Sequence, residues 1–129
     1  MIKIEKQIAI YMDNRPGMLA RTCKALAEAK VNILALSMLD TVDHAIVRMV
    51  VDKLKEAEKV LSGLHAMIQS RDVIWMEVPN QVGALAQIAE KLAAAGINLE
   101  YAYCTSTGSN AGVIVLRTND LEATINALS

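Results

Sequence analysis

The chain has 129 residues, of which 53% are hydrophobic, and its 13 basic and 14 acidic residues give a formal net charge of −1. A chain of this length buries roughly two-thirds of its unfolded surface, so its core is large enough to fold without cross-links. The near-neutral charge offers no basic surface to nucleic acid or to anionic lipid. We therefore expect no nucleic-acid partner and no membrane partner, which leaves small neutral or zwitterionic ligands.

The cysteines and the N-terminal residues indicate the compartment. Cys23 falls on an apolar helical face and Cys104 at a strand end, and neither has the spacing of a metal site. We expect both to be reduced packing residues. Lys3, Glu5 and Lys6 interrupt the N-terminal residues, and no apolar segment reaches the length of a signal-peptide core or a membrane span. These features predict a cytoplasmic protein.

Strand and helix periods alternate along the first half of the chain. Asn14 and Pro16 suit the beginning of a first helix, and Asp52 is placed to cap a second one. The predicted elements are a strand at residues 7–12, a helix that begins within residues 13–17 and reaches about residue 29, strands at 31–39 and 45–51 around a polar turn at 40–43, a helix at 52–64 and a short strand at 66–70.

The second half repeats this order. Its predicted elements are a strand at residues 73–78, a helix at 80–94, strands at 97–104 and 112–117 around a turn at 105–110, and a helix at 120–128. The first of these helices has an apolar stripe that we expect to face the core, formed by Leu85, Ile88, Ala89 and Leu92. No later segment supplies a fourth strand. We expect that strand to be missing or to come from elsewhere, because a bare sheet edge is a liability.

The two halves are copies of one βαββαβ unit. Gly17 recurs as Gly83 at an offset of 66 residues, and Asn32 recurs at the same offset as Asn98. This order of elements predicts a four-stranded antiparallel sheet with two helices on one face, which is the ferredoxin-like arrangement. The predicted fold class is therefore α+β, with two tandem ferredoxin-like units.

We place the limits of the two domains at residues 1–70 and 71–129. Several strands have apolar residues on both faces, so we expect two sheets or two chains to pack together, and we predict a homodimer.

Trp75 has the opposite parity to Ile74 and Met76 in its strand, so its side chain faces the other side of the sheet. We therefore predict that Trp75 is buried on the face without helices.

The repeated turn reads Asp-Asn-Arg-Pro-Gly-Met-Leu at residues 13–19 and Asn-Gln-Val-Gly-Ala-Leu at residues 80–85. Each copy then closes its helix with a similar stretch, Ala-Glu-Ala-Lys-Val-Asn-Ile at 27–33 and Ala-Gly-Ile-Asn-Leu at 95–99. These stretches resemble the ACT domain, a small regulatory module that binds amino acids. The resemblance runs from about residue 3 to the end, and the chain is most similar to stand-alone proteins made of two ACT domains.

The first copy is also similar to the serine-binding ACT domain of phosphoglycerate dehydrogenase. The resemblance implies ligand contacts from the asparagine before the Pro-Gly pair and from the asparagine that opens the second strand, here Asn14 and Asn32. Three positions depart from the pattern. Met12 stands at a ligand-contacting histidine, Val82 replaces the proline in the second turn, and Lys30 replaces the closing glycine of the first helix.

The two turns and the two closing asparagines form the predicted ligand site. A helix that begins after a glycine turn presents free N–H groups to a carboxylate, and asparagine carbonyl groups accept hydrogen bonds from an amino group. The sequence leaves open whether Asn14 and Asn80 act only as helix caps. We interpret the seven methionines as core residues, and the alternative for Met12 and Met18, which flank the first turn, is the lining of a side-chain pocket. The predicted ligand-binding residues are Asn14, Arg15, Pro16, Gly17, Met18, Leu19, Asn32, Asn80, Gln81, Val82, Gly83, Ala84, Leu85 and Asn98.

We predict a non-enzymatic regulatory or sensor protein that binds a free amino acid at the interface between ACT domains, with a metabolic enzyme regulated in trans as a candidate partner. The alternative is a structural adaptor with this fold and no retained ligand site. No Cys-His, Ser-His-Asp or paired-carboxylate pattern and no phosphate-binding glycine loop is present, so we assign no catalytic residue, metal or cofactor. His44 and His65 are interpreted as solvated residues. Tyr101 and Tyr103 lack the basic neighbours of an RNA-binding sheet.

Overall fold

The computed structural model describes residues 1–41, 43–106 and 111–129. The strands are β1 Ile2–Asp13, β2 Ile33–Asp40, β3 His44–Val51, β4 Met67–Pro79, β5 Leu99–Ser106 and β6 Ala111–Thr118. The helices are α1 Met18–Glu28, α2 Leu54–Gly63, α3 Ala84–Ala94 and α4 Leu121–Leu128. Every predicted helix and strand is present, although the strands predicted at 66–70 and 73–78 are one continuous strand, β4. Val42 and residues 107–110, which belong to the two predicted hairpin turns, lie outside the described residues.

The strands are hydrogen-bonded in the order β2-β3-β1-β4-β6-β5. The chain divides into two compact units, a first unit of Lys6–Arg71 and a second unit of Met1–Glu5 with Asp72–Ser129. The strands of the first unit follow the order β2-β3-β1-β4, and those of the second follow β5-β6-β4-β1. When the strands are numbered along one βαββαβ unit, with Met1–Glu5 supplying the fourth strand of the second unit, both units have the same spatial order: second, third, first, fourth. The α+β fold of two tandem ferredoxin-like units is confirmed.

The segment Met1–Glu5 belongs to the second unit, and its strand residues, the beginning of β1 from Ile2, supply the fourth strand of that unit. The backbone N–H of Glu77 donates a hydrogen bond to the carbonyl oxygen of Met1 at 2.9 Å. The strand predicted to be missing or foreign is thus the beginning of β1, which is longer than the strand predicted at residues 7–12. The domain limits predicted at residues 1–70 and 71–129 remain a prediction, and the compact units depart from them at residues 1–5 and at Arg71.

The core of the first unit lies between its sheet and its two helices. On β1 and β3, Ile10 pairs with Val47 and Ile8 pairs with Met49, and all four side chains are buried. Leu26 of α1 and the buried residues of α2 complete this cluster. Burial of each large apolar side chain stabilises the fold by roughly 1.5–3 kcal/mol, so packing against the sheet holds both helices in place.

The core of the second unit includes Ile74, Ile88, Leu92, Ile114, Leu116 and Leu128. Of the predicted stripe of α3, Ile88 and Leu92 are buried, whereas Leu85 is 55% exposed and Ala89 is exposed. The prediction for these two residues is wrong. Leu85 lines an open cavity beside β5 and β6 instead of the core, and the buried residues of α3 are Ile88 and Leu92.

Some strand residues on the faces without helices are also buried, as predicted. Val50 of β3 and Val115 of β6 are both shielded from solvent. Trp75 pairs with Val115 and so has the predicted parity, but it is only half-buried. The ammonium group of Lys3 lies 6.0 Å from the centroid of the Trp75 ring. A hydrated cation beside the indole keeps part of the ring near water, so the prediction of full burial is wrong.

Three helices end in the same left-handed turn. The residue that follows α1, α2 and α3 by two positions has a positive φ, 61° at Lys30, 58° at His65 and 70° at Gly96. The next N–H donates back into the last helical turn in each case, for example from Val31 to the Leu26 carbonyl at 2.9 Å. Only glycine adopts this backbone without cost. Lys30 and His65 therefore each lower the free energy of unfolding by roughly 1 kcal/mol relative to glycine at the same position. None of the helices in the described residues is long and apolar enough to span a membrane.

Candidate functional site

The first predicted turn ends at Gly17, which is the N-cap of α1. Its φ of 87° is left-handed, and no side chain accepts a hydrogen bond from the first turn of the helix. A Cβ added at Gly17 would meet no atom within 4 Å, so the space in front of the helix is open. The N–H groups at the start of α1 therefore face a region that a small anion can approach.

Asn14 does not cap α1, so that prediction is wrong. Its side-chain amide donates to the carboxylate of Asp40, and its backbone N–H donates to the carbonyl oxygen of Asp43 at 3.3 Å. The physical reason is the hairpin between β2 and β3, which brings carboxylate and carbonyl acceptors next to the turn. Arg15 lies 3.8 Å from the Asp13 carboxylate, but both side chains are largely exposed and the pair contributes little to stability.

The second predicted turn has the same backbone. Gly83 is the N-cap of α3 with a φ of 86°, no side-chain cap is present, and a Cβ there also meets no atom within 4 Å. Asn80 is therefore not the cap of α3 either. Four predicted residues are brought together around a cavity of about 130 Å³, and they are Asn80, Gln81, Ala84 and Leu85. Val82 is fully exposed and does not line this cavity.

Cys104 and Thr105 of β5 line the same cavity. The sequence analysis did not assign them to the site, because no local pattern indicates that the end of β5 lies beside the turn before α3.

Cys104 is exposed, so its predicted packing role is wrong, whereas Cys23 is partly buried. Burial raises the pKa of the Cys23 thiol above its ordinary value. Both cysteines are free thiols.

The closing asparagines lie at the other end of the helices. Asn32 follows α1 and Asn98 follows α3, and both are exposed. Each helix has 11 residues, which at 1.5 Å per residue gives a length of about 16 Å. An amino acid is much shorter than this. The structure therefore does not bring Asn14 and Asn32 of one copy to the same ligand, and the same holds for Asn80 and Asn98.

The backbone of Asn32 is held by Asp52. The Asp52 carboxylate accepts from the Asn32 N–H at 2.9 Å, and the Asp52 N–H donates to the Asn32 carbonyl oxygen at 3.1 Å. The prediction that Asp52 caps α2 is wrong. The N-cap of that helix is Lys53, which makes no side-chain capping bond, because the carboxylate of Asp52 is used across the sheet end.

Met12 is buried in the core of the first unit and Met18 packs against that core, and both also line one cleft. The cleft has a volume of about 230 Å³ and belongs to the first unit, where the end of β1, α1 and the turn between α2 and β4 surround it. His65 also lines it, and His44 is exposed. Among the residues that the structure describes, no group of three His, Cys, Asp or Glu side chains is arranged to hold a metal ion.

Known proteins identify the fold and the family. The chain matches the ACT domain pair family over residues 3–128, and it belongs to that family. It is similar to the structure of protein BT0572 from Bacteroides thetaiotaomicron, with 30% sequence identity and a TM-score of 0.92 over 98% of this chain and 88% of that chain. A search of curated proteins finds no match.

Two regulatory subunits of aspartate kinase are also similar in structure. The ligand-free subunit from Thermus thermophilus has 17% identity and a TM-score of 0.74 over 98% of this chain and 93% of that one. The subunit from Thermus flavus has 19% identity and a TM-score of 0.66 over 99% of this chain and 97% of that one. At these identities the likeness shows the shared fold.

Proposed function

We propose that the protein is a non-catalytic regulator or sensor that binds a free amino acid at its repeated turns. The observation that carries the proposal is the pair of uncapped helix N-termini, which begin at the left-handed residues Gly17 and Gly83. Family membership supports it, since the ACT domain pair family covers residues 3–128. The fold is also that of the regulatory subunits of aspartate kinase described above.

In this proposal the ligand carboxylate approaches backbone N–H groups within residues 15–19 or 82–85. Pro16 has no N–H, and the N–H groups of Arg15, Met18 and Ala84 already donate to carbonyl oxygens of the turns. Its amino group then meets the carbonyl group of Asn32 or Asn98. Because about 16 Å separates the two ends of each helix, the asparagine must come from a different copy of the domain than the turn. This requirement agrees with the sequence prediction of a site at an interface between ACT domains. A ligand of about ten heavy atoms limits the dissociation constant to roughly micromolar to millimolar values.

A homodimer is part of the proposal. Edge strand β2 exposes a run of large apolar side chains, Leu34, Leu36, Met38 and Leu39, each between 38% and 50% accessible. Unprotected apolar edges are uncommon in stable monomers, so we propose that a second copy covers β2.

The free thiols of Cys23 and Cys104 support a reducing, cytoplasmic location. A metabolic enzyme regulated in trans is the proposed target.

One observation favours the adaptor alternative for the second turn. The cavity beside Gly83 has a volume of about 130 Å³, which holds on the order of four water molecules at about 30 Å³ each. An amino acid needs more room, so this site requires either opening or a contribution from another copy. If neither occurs, the second unit serves only to hold the assembly together.

Calorimetric titration with each common amino acid tests the proposal. Gly83→Asn and Gly17→Asn keep a residue type that tolerates the left-handed backbone and place a side chain in the open approach. Valine is a poorer choice, because a β-branched residue is strained at a φ of 86°. Gly96→Asn is the matched control, with the same change at a φ of 70° and at the far end of α3.

We expect the two turn variants to fold and to lose binding, and Gly96→Asn to bind normally. Asn32→Ala and Asn98→Ala should weaken binding by roughly 1 kcal/mol each, since both side chains are exposed in the free chain. Absence of binding at millimolar ligand, or binding that is indifferent to all four changes, would replace the proposal with the adaptor.

A further inference from the structure

The cleft of the first unit is formed by the end of β1, the beginning of α1 and the turn between α2 and β4. We call it the methionine cleft and define it by Met12, Met18, Leu64, Asp13 and Arg21. Three of these residues provide apolar walls, one provides a carboxylate and one a guanidinium. No local sequence pattern joins them, because they come from β1, α1 and the residue that follows α2. The cleft is therefore a product of packing within the first unit.

The size of the methionine cleft suits a small metabolite. Its volume of about 230 Å³ holds on the order of eight water molecules at about 30 Å³ each. This is below the roughly 300–1,000 Å³ of sites for drug-sized ligands. A ligand of about eight to ten heavy atoms is consequently the expected occupant, which is the size of a medium-sized free amino acid.

The charges in the cleft match the two charged groups of a zwitterion. Arg21 makes no ion pair with any residue of the described ranges, so its guanidinium is available for a carboxylate. Asp13 is 3.8 Å from Arg15, and both side chains are more than half exposed, so this pair is weak enough to be exchanged for an ammonium group. The presence of Arg21 disfavours a metal cation in the same cleft.

The second unit contains the same cleft without these groups. At the constant offset of 66 residues, Asp13 corresponds to Pro79 and Arg21 to Gln87, and both counterparts line a cavity of only about 100 Å³. Ala84 takes the place of Met18 in that cavity. The repeat thus offers a comparison, in which the equivalent cavity lacks the counterparts of Asp13 and Arg21 and most of the volume, and carries its charges at other positions, Glu77 and Lys91.

We propose that the methionine cleft binds a free L-amino acid with an unbranched or singly branched apolar side chain. The carboxylate lies on Arg21, the ammonium group on Asp13, and the side chain between Met12, Met18 and Leu64. Methionine side chains are flexible and polarisable, so they fit a linear apolar chain closely. The inference rests on the proposed function for its ligand class, but it places the ligand on side chains of the cleft, Met18 among them, and uses neither the backbone N–H groups of the turns nor the asparagines.

Calorimetry with L-methionine tests the inference. Arg21→Gln gives the first unit the residue that the second unit has at this position, and Asp13→Asn removes the carboxylate. Both side chains are exposed, so the variants should keep the melting temperature of the unmodified protein. Lys24→Gln is the matched control, because Lys24 is an exposed cation on the same helix that does not line the cleft.

We expect Arg21→Gln and Asp13→Asn each to raise the dissociation constant for L-methionine about tenfold, and Lys24→Gln to change it less than twofold. Two analogues assign the charges. 3-(Methylthio)propylamine lacks the carboxylate and should bind the Arg21→Gln variant as it binds the unmodified protein. 4-(Methylthio)butanoate lacks the ammonium group and should be indifferent to Asp13→Asn.

The outcomes separate this inference from the proposed function. Binding that is lost in Gly17→Asn and Gly83→Asn but unchanged in Arg21→Gln and Asp13→Asn overturns the cleft and keeps the turns. The opposite pattern supports the cleft and removes the turns from the binding site. Binding of polar amino acids alone overturns the cleft, and an absence of any amino-acid binding overturns both proposals.

Discussion

The two units have the same strand order but close their sheets with different parts of the chain. The first unit takes its fourth strand from the segment that follows its second helix, at the beginning of β4. The second unit takes its fourth strand from Met1–Glu5, which lies before everything else in that unit. A ferredoxin-like sheet requires four strands in the right places and does not require them in one continuous stretch of sequence.

The two units also use corresponding polar residues differently. In the first unit the carboxylate of Asp52 holds the Asn32 N–H, and α2 begins at Lys53 without a side-chain cap. In the second unit Asp120 is the N-cap of α4 and accepts from the Ala123 N–H at 3.0 Å. A shift of one residue along the chain therefore decides whether a carboxylate supports a loop or a helix.

Removal of residues 1–5 should have the largest effect on this comparison. The second unit would lose the packing of Ile2 against its core together with the hydrogen bonds of its fourth strand, at a cost of roughly 4 kcal/mol or more. Hydrogen exchange should accelerate in β4 and β6 beyond residue 72 and remain slow in β3. Equal protection of both units in the truncated chain would show that Met1–Glu5 contribute nothing to the second unit.

Asp120→Ala and Asp52→Ala should separate the two uses of a carboxylate. Loss of the α4 cap should lower the free energy of unfolding by about 1 kcal/mol and reduce helicity at the C-terminus. Asp52→Ala should leave the helicity of α2 unchanged and loosen the backbone at Asn32 instead. Chemical denaturation and amide chemical shifts measure both effects. A larger loss of α2 helicity in Asp52→Ala than of α4 helicity in Asp120→Ala would contradict this assignment.

The smallest expected effect concerns the left-handed helix ends. Lys30→Gly gives α1 the residue that ends α3 and should raise the free energy of unfolding by a few tenths to about 1 kcal/mol. Gly96→Lys is the reciprocal change and should lower it by a similar amount. Thermal melting of the two variants checks the pair. Destabilisation by Lys30→Gly would mean that the lysine side chain makes a contact that outweighs its backbone strain.

Local periodicity predicted much of the fold because the core residues report it directly. Leu26 and Leu92 occupy the predicted helix faces and are buried. The predicted first strand began at residue 7 and missed residues 2–5, although Ile2 and Ile4 alternate with Lys3 and Glu5. Even with that alternation, the sequence does not show which strand this segment pairs with. The N–H of Glu77 that bonds to Met1 is far away in the sequence, and a strand pattern does not name its neighbour.

The sequence by itself determined the order of elements, the repeated unit and the glycines that begin α1 and α3, because periodicity and left-handed backbone angles are local properties. Only the tertiary structure decided which acceptor takes the amide of Asn14, since Asp40 comes from the hairpin that packs beside the turn. The methionine cleft was decided in the same way. Asp13, Arg21 and Leu64 belong to separate elements, and only the packing of those elements within the first unit places a carboxylate, a guanidinium and an apolar wall around one space.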